Sequence, residues 1–273
     1  THRRHFRRPF QQQLGRFGHF GDFPDRTEQL PRLAESLERL FQHRAIGAVL
    51  VEPVQGRGGI NVPPLKFLPL LRKLCHRFGA LLIVDEIYTG FGRTGKWFAC
   101  EHSNTIPDLI CLGKALTGGF PLSACVGRAD IMDGAWPRSL GEAIHTSTFL
   151  GHPVGCAMAL AQIEEVRGRK LVDRSARLGR LLLDELGTIQ APKGLALAVR
   201  GIGLMAGLDV RLSDGKPATS AVLGATKRML KSGFILLPEG EHSSVISFTP
   251  PLTISELELH HTLEALNQIL QTT

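Results

Sequence analysis

Three places in the sequence carry residue types that do chemistry. Asp85 closes the apolar run Leu81-Leu-Ile-Val84, and Lys114 follows a second run, Leu109-Ile-Cys-Leu112, just ahead of the turn Leu116-Thr-Gly-Gly-Phe-Pro121. The third, Gly90-Phe-Gly-Arg-Thr-Gly95-Lys96, has the spacing of a phosphate loop. An acid at the tip of a buried strand stands where open α/β sheets bind ligands. Once partly desolvated, it needs a cation or a donor to stay ionised. A lysine at such a strand end, among apolar neighbours, can have its pKa lowered enough to act as a nucleophilic amine, although the commoner fate of any single lysine is a solvated loop. The glycine segment is the weaker signal. Trp97 stands where the magnesium-holding hydroxyl belongs, and the acid-tipped strand precedes the loop instead of following it, so a nucleotide-hydrolysing reading is set aside.

Such residues need a scaffold that brings strand ends together. Apolar runs at 45–54, 81–84, 109–112 and 124–126 read as buried strands, and 65–78 and 154–166 as helices. Leu30, Leu33, Leu37, Leu40 and Phe41 fall at helical spacing, after a start near Asp25–Thr27 and as far as His43. Strands buried on both faces and separated by helices predict an α/β sheet, mostly parallel. Around Gly168 the texture changes. A strongly periodic helix at 171–186 is followed by short apolar runs at 195–199, 204–210, 234–237 and 245–248, interleaved with helices at about 220–231 and 255–270. This pattern predicts a smaller α+β domain, so the expected division is 1–167 and 168–273.

Composition bounds the function. With 43% hydrophobic and 21% charged residues, the 273-residue chain can bury a core, which excludes disordered and collagen-like architectures. The formal charge of +7 is local, because Arg3, Arg4, Arg7, Arg8 and Arg16 supply five of the excess charges with no acid before Phe20. Interleaved with Phe6 and Phe10, these arginines could touch nucleic acid. The near-neutral remainder makes that partner the lesser expectation. No apolar run reaches the ~18 residues of a membrane-crossing helix, and a secretory signal is not expected behind the N-terminal arginines. Cys75, Cys100, Cys111, Cys125 and Cys156 form an odd set with no C-x-x-C spacing. They read as reduced, buried thiols of a cytoplasmic protein, with no disulfide or metal framework.

A lysine that can carry a carbonyl compound, together with an aspartate suited to a pyridinium nitrogen, is the pairing found around pyridoxal 5'-phosphate (PLP). The segments Glu52-Pro-Val-Gln-Gly56, Val84-Asp-Glu-Ile-Tyr-Thr-Gly-Phe-Gly-Arg-Thr-Gly95, Pro107-Asp-Leu-Ile-Cys-Leu-Gly-Lys-Ala-Leu-Thr-Gly-Gly119, His145-Thr-Ser-Thr-Phe149 and Pro250-Pro-Leu252 resemble the class III aminotransferases. These are PLP enzymes of fold type I, of the ornithine, acetylornithine and 4-aminobutyrate type. The resemblance implies a cytoplasmic homodimer that moves an amino group from an amino acid or ω-amine to a 2-oxo acid. It implies that Lys114 carries the cofactor in aldimine linkage and shuttles the substrate's Cα proton. Asp85 would pair with the ring nitrogen, Ile87 would pack on the ring face, and Tyr88 would stand where many relatives have a glutamine near the phenolic oxygen. Ser147 and Thr148 would reach the phosphate across a dimer interface, the bland alternative being that they cap a helix. Glu52 would lie by the cofactor and substrate, with Gln55 a lesser candidate.

Two departures bear on substrate choice. Where ornithine-type relatives have a glutamate after Gln-Gly this chain has Arg57, and where they have an arginine before Pro-Pro-Leu it has Ser247. A guanidinium can hold a carboxylate bidentately and a hydroxyl cannot, so Arg57 becomes the expected carboxylate clamp, set against a solvent-exposed loop arginine. A third departure is the upstream glycine-rich phosphate loop of such enzymes, which has no counterpart here. The expectation is therefore the C-terminal part of a longer enzyme or a degenerate copy. The alternatives in function are an impaired PLP-fold scaffold and a decarboxylase or aminomutase on the same fold.

Overall fold

The computed structural model describes residues 18–135, 140–141 and 147–272. The early arginines, Phe6, Phe10 and His145 lie outside the described residues. Helix α1 (Leu30–His43) leads into strand β1 (Ala48–Val51), followed by α2 (Phe67–Phe78), β2 (Leu81–Asp85), β3 (Leu109–Leu112), β4 (Ala124–Gly127) and α3 (Ala129–Ala135). Then come α4 (Pro153–Gly168), α5 (Leu171–Thr188), β5 (Leu195–Gly201), β6 (Ala206–Leu212), α6 (Thr219–Lys231), β7 (Leu237–Glu239), β8 (Val245–Phe248) and α7 (Glu256–Gln271).

The first four strands form one sheet in sequence order, β1 to β3 parallel and β4 antiparallel. Alternation divides its side chains between two faces. Val51, Leu82 and Val84 turn to the face on which α2 lays Phe67, Leu68, Leu71, Leu74 and Cys75, while Leu112 on the same face meets Ala159 of α4. The other face carries Leu50, Asp85, Cys111 and Cys125 and is open among the described residues, with Leu50 66% exposed. The expectation of burial on both faces is thus corrected. An uninterrupted apolar run such as Leu81-Leu-Ile-Val84 does not report which of its two faces is covered. The cysteine expectation is corrected with it: Cys75 and Cys100 are buried, but Cys125 and Cys156 are exposed.

The remaining strands form a second, antiparallel sheet in the order β5-β6-β8-β7. Its core joins Leu178, Leu182 and Leu186 of α5, Val222 and Met229 of α6, and Leu259, Leu263 and Leu266 of α7 to Leu208, Val210, Ile246 and Phe248. Ser255 caps α7 reciprocally with Glu258, the capping-box arrangement. The strand expected at 234–237 begins only at Leu237. Gly233, at φ 89°, ends α6, the Phe234 amide folds back to the Met229 carbonyl, and Phe234 and Leu236 pack on the core without entering the ladder. No helix among the described residues is long and apolar enough to cross a membrane.

Candidate active site

Asp85 ends β2, and its register partner on β3 is Cys111. Three residues further on, after Gly113, Lys114 opens a 3-10 turn (Lys114–Leu116). Because β2 and β3 run parallel, Asp85 and Lys114 emerge at the same carboxyl edge of the sheet. Lys114 takes φ 43°, a left-handed conformation uncommon for a residue with a Cβ. Its ammonium lies 4.8 Å from the Tyr88 ring centroid, within cation–π range. Among the described residues it makes no hydrogen bond and no ion pair, which leaves the amine available.

Asp85 is half-buried, and its carboxylate accepts the Ile87 amide at 3.0 Å, which leaves further lone pairs open. Ile87 abuts Gly113, where a methyl group would stand 3.4 Å from Ile87 Cγ2. Glu52, one residue beyond β1, accepts the Gly56 amide at 3.3 Å. Burial pushes the Glu52 pKa up, the Gly56 amide works against that, and the charges of Asp85 and Lys114 act on it in opposite senses. Glu52, Asp85 and Lys114 therefore form one electrostatic cluster built from the ends of three adjacent strands.

Tyr88 closes the cluster on one side, its hydroxyl donating to Thr249 Oγ1 at 3.5 Å, just past β8. Its ring lies against Gly56 so closely that a Cβ there would come within 2.1 Å of Tyr88 Cδ1. Gly56→Ala is therefore expected to displace Tyr88 and to cost about 1–3 kcal/mol in denaturant unfolding. A wild-type midpoint would show that the ring yields freely.

Other expected residues fall elsewhere. Arg57 pairs with Glu239 of β7, Nη1 to Oε1 2.8 Å, the arginine side chain 61% exposed and the glutamate 1%. Ser247 donates to the Leu237 carbonyl at 3.2 Å. The Gln55 side chain accepts from Asn61 at 3.1 Å and braces its own loop. Ser147 and Thr148 are exposed ahead of α4. Neither caps that helix, because the Gly155 amide donates to the His152 ring at 3.5 Å. The glycine segment at 90–96 proves to be a docking loop: Arg93 donates to the carbonyls of Leu204 and Pro250, and a Cβ on Gly95 would sit 2.9 Å from the Ala176 Cα. Gly92 and Gly95 permit close approach to Val172 and Ala176 of α5, and Gly90 to the Glu86 carbonyl. Glu239, Thr249 and the need for glycine at 56 escaped the sequence reading, since each acts through a partner distant in the chain.

PLP asks for an amine to bond its aldehyde carbon, an anion beside its ring nitrogen, and donors for its phosphate. The unpaired Lys114 amine and the half-buried Asp85 carboxylate with open lone pairs fit the first two. A mainly parallel sheet with an antiparallel second sheet beyond it is the architecture of the fold type I PLP-dependent enzymes. The family described as Aminotransferase class-III matches residues 5–270. The 5-aminovalerate aminotransferase DavT of Pseudomonas aeruginosa is 40% identical over 85% of this chain and 54% of its own length. Mitochondrial ornithine aminotransferase of Rattus norvegicus is 37% identical over 92% of this chain and 55% of its own. A transaminase structure from the marine bacterium Virgibacillus superposes with a TM-score of 0.83 at 27% identity, over 96% of this chain and 62% of that one. The chain belongs to the class III aminotransferases, and it spans about half the length of the curated relatives it matches.

Proposed function

We propose that this chain carries the catalytic centre of a PLP-dependent aminotransferase that moves an amino group from an amino acid or ω-amine to a 2-oxo acid, working as a cytoplasmic homodimer whose two domains divide near residue 167. The observation that carries this reading is the unpaired Lys114 amine beside Asp85 at adjacent parallel strand ends. Bound PLP supplies an electron sink that acidifies the bond next to the substrate's nitrogen. Lys114 Nζ would hold the cofactor at rest and, once the substrate's amine displaces it, would take the proton from the substrate's Cα and deliver it to the cofactor carbon that Nζ had occupied, so that the amino group stays with the cofactor. The Asp85 carboxylate would keep a proton on the ring nitrogen, Ile87 would pack against the cofactor, and Tyr88 steadies the Lys114 ammonium. Glu52 lines the substrate side. Ser147 and Thr148, exposed ahead of α4, are assigned to the phosphate at the site of a second copy.

The first test is titration with PLP. A visible absorbance band is expected, fixed by borohydride reduction and mapping to Lys114. No band, or label scattered over Lys66, Lys73 and Lys96, would favour a scaffold that does not hold the cofactor.

Arg57 is proposed as the carboxylate clamp, poised by Glu239. Charge-assisted hydrogen bonds are worth about 1.5–3 kcal/mol, so Arg57→Ala should raise the KM for a 2-oxo acid about tenfold to a hundredfold with little change in kcat. An unchanged KM would remove Arg57 from the substrate site.

A further inference from the structure

Cys111 and Cys125 are register partners across β3 and β4. The Cys111 carbonyl accepts the Glu86 amide, so its backbone polar groups turn towards β2 and away from β4. That makes Cys111–Cys125 a non-hydrogen-bonded antiparallel pair, the kind in which Cα atoms approach to about 4.5 Å and side chains lie closest. This spacing falls inside the roughly 4.4–6.8 Å that a disulfide spans. Neither cysteine is engaged in a disulfide, so both sulfurs are free to react. Both share the open face of the sheet with Asp85, the partner of Cys111 on its other side. Cys125 is exposed and Cys111 half-buried, whereas Cys75 and Cys100 are buried.

The geometry points to Cys111 and Cys125 as a redox site, a dithiol that peroxides close reversibly to a cross-strand disulfide in the same row as Asp85. Cys125, the more accessible sulfur, attacks as the thiolate; the peroxide O–O bond breaks, hydroxide leaves, and Cys125 becomes a sulfenic acid. The Cys111 sulfur then displaces that oxygen, the S–S bond forms as the S–O bond breaks, and the departing hydroxide takes the Cys111 proton. Two electrons pass from the sulfur pair to the peroxide, which ends as two waters. Burial pushes the Cys111 thiol up, with Cys125 and Asp85 adding to the effect, which suits it to the second, resolving role. This chemistry is independent of the proposed transamination.

The test treats the native full chain with hydrogen peroxide, then denatures, alkylates and maps the peptides. Two of the five cysteines should stop alkylating, a peptide joining residues 111 and 125 should appear, and dithiothreitol should restore both thiols. Cys111→Ser should leave oxidised Cys125 without any cross-link. Exposed Cys156 serves as the internal control. The assignment is overturned if Cys156 oxidises while Cys111 and Cys125 still alkylate, if the link joins another pair, or if Cys125 proceeds to sulfinic acid unlinked.

Discussion

Lys114→Ala is expected to abolish covalent attachment of PLP and to lower turnover by at least about 10³-fold, because in the proposed mechanism one side chain serves both as nucleophile and as proton carrier. The fold should barely respond. The side chain is exposed and makes no hydrogen bond or ion pair among the described residues, so its truncation should shift stability by no more than about 0.5 kcal/mol. Lys114→Arg sharpens the result. A guanidinium keeps the positive charge near Glu52 and Asp85 and stacks as well on Tyr88, yet it offers no nucleophilic nitrogen at neutral pH. If charge were all that Lys114 contributed, the arginine variant would retain most of the activity. The expected outcome is that it is as inactive as the alanine variant, with an intact unfolding transition. The measurements are a coupled transamination assay beside cofactor absorbance and thermal melts. Residual turnover above about a tenth of wild type in the arginine variant would move the chemistry to another residue.

How far the site could be read from the sequence follows the range of its interactions. The strand-end positions of Asp85 and Lys114 were legible because each follows a short apolar run, and the strands at 81–85 and 109–112 lie where those runs stand. The run at 45–54 kept only Ala48–Val51 as strand, since beyond Glu52 the chain turns into the loop closed by the Gln55–Asn61 bridge. Packing between distant segments was not legible. Nothing local to Arg57 indicates Glu239, 182 residues away. The glycines at 90, 92 and 95 advertised a phosphate loop, and only the positions of Val172 and Ala176 show that Gly92 and Gly95 accommodate α5, while Gly90 lies against the Glu86 carbonyl and Phe98. The openness of the Asp85-bearing face was hidden for a related reason: composition along a strand says that it is apolar, and coverage is decided by other elements.

The scaffold beneath the site hangs on one buried acid, and its loss is the largest stability effect expected. Asp108, 4% exposed, precedes β3 and ties three elements together: its Oδ2 accepts Arg72 Nη1 of α2 at 2.6 Å and the Leu82 amide of β2 at 2.7 Å, and its Oδ1 accepts Arg128 Nη1, just past β4, at 3.1 Å. Burial by itself would raise the Asp108 pKa, but the Leu82 amide and the Arg72 and Arg128 guanidinium groups more than offset it, and the net shift is downward. A carboxyl whose folded pKa lies below the unfolded value of about 3.9 contributes stability that is complete above that value and is lost as pH falls through the folded one. Asp108→Ala strands the Leu82 amide and removes the partner of Arg72. Breaking a buried pair costs about 3–5 kcal/mol, and the low end applies because both arginines retain some contact with water. A loss of about 3 kcal/mol at pH 7 corresponds to a melting temperature lower by roughly 6–12 °C. Asp108→Asn separates charge from shape. Its amide oxygen can still take the Leu82 N–H, but its NH2 must meet a guanidinium, so it should fall between wild type and alanine at pH 7. The gap between wild type and the asparagine variant should then narrow as pH drops below about 4, where the carboxyl of the unfolded chain takes up its proton while the folded one still holds its charge. A gap that stayed constant from pH 7 to pH 3 would mean that the charge on Asp108 contributes nothing and that the acid holds β2, β3 and α2 together by shape alone.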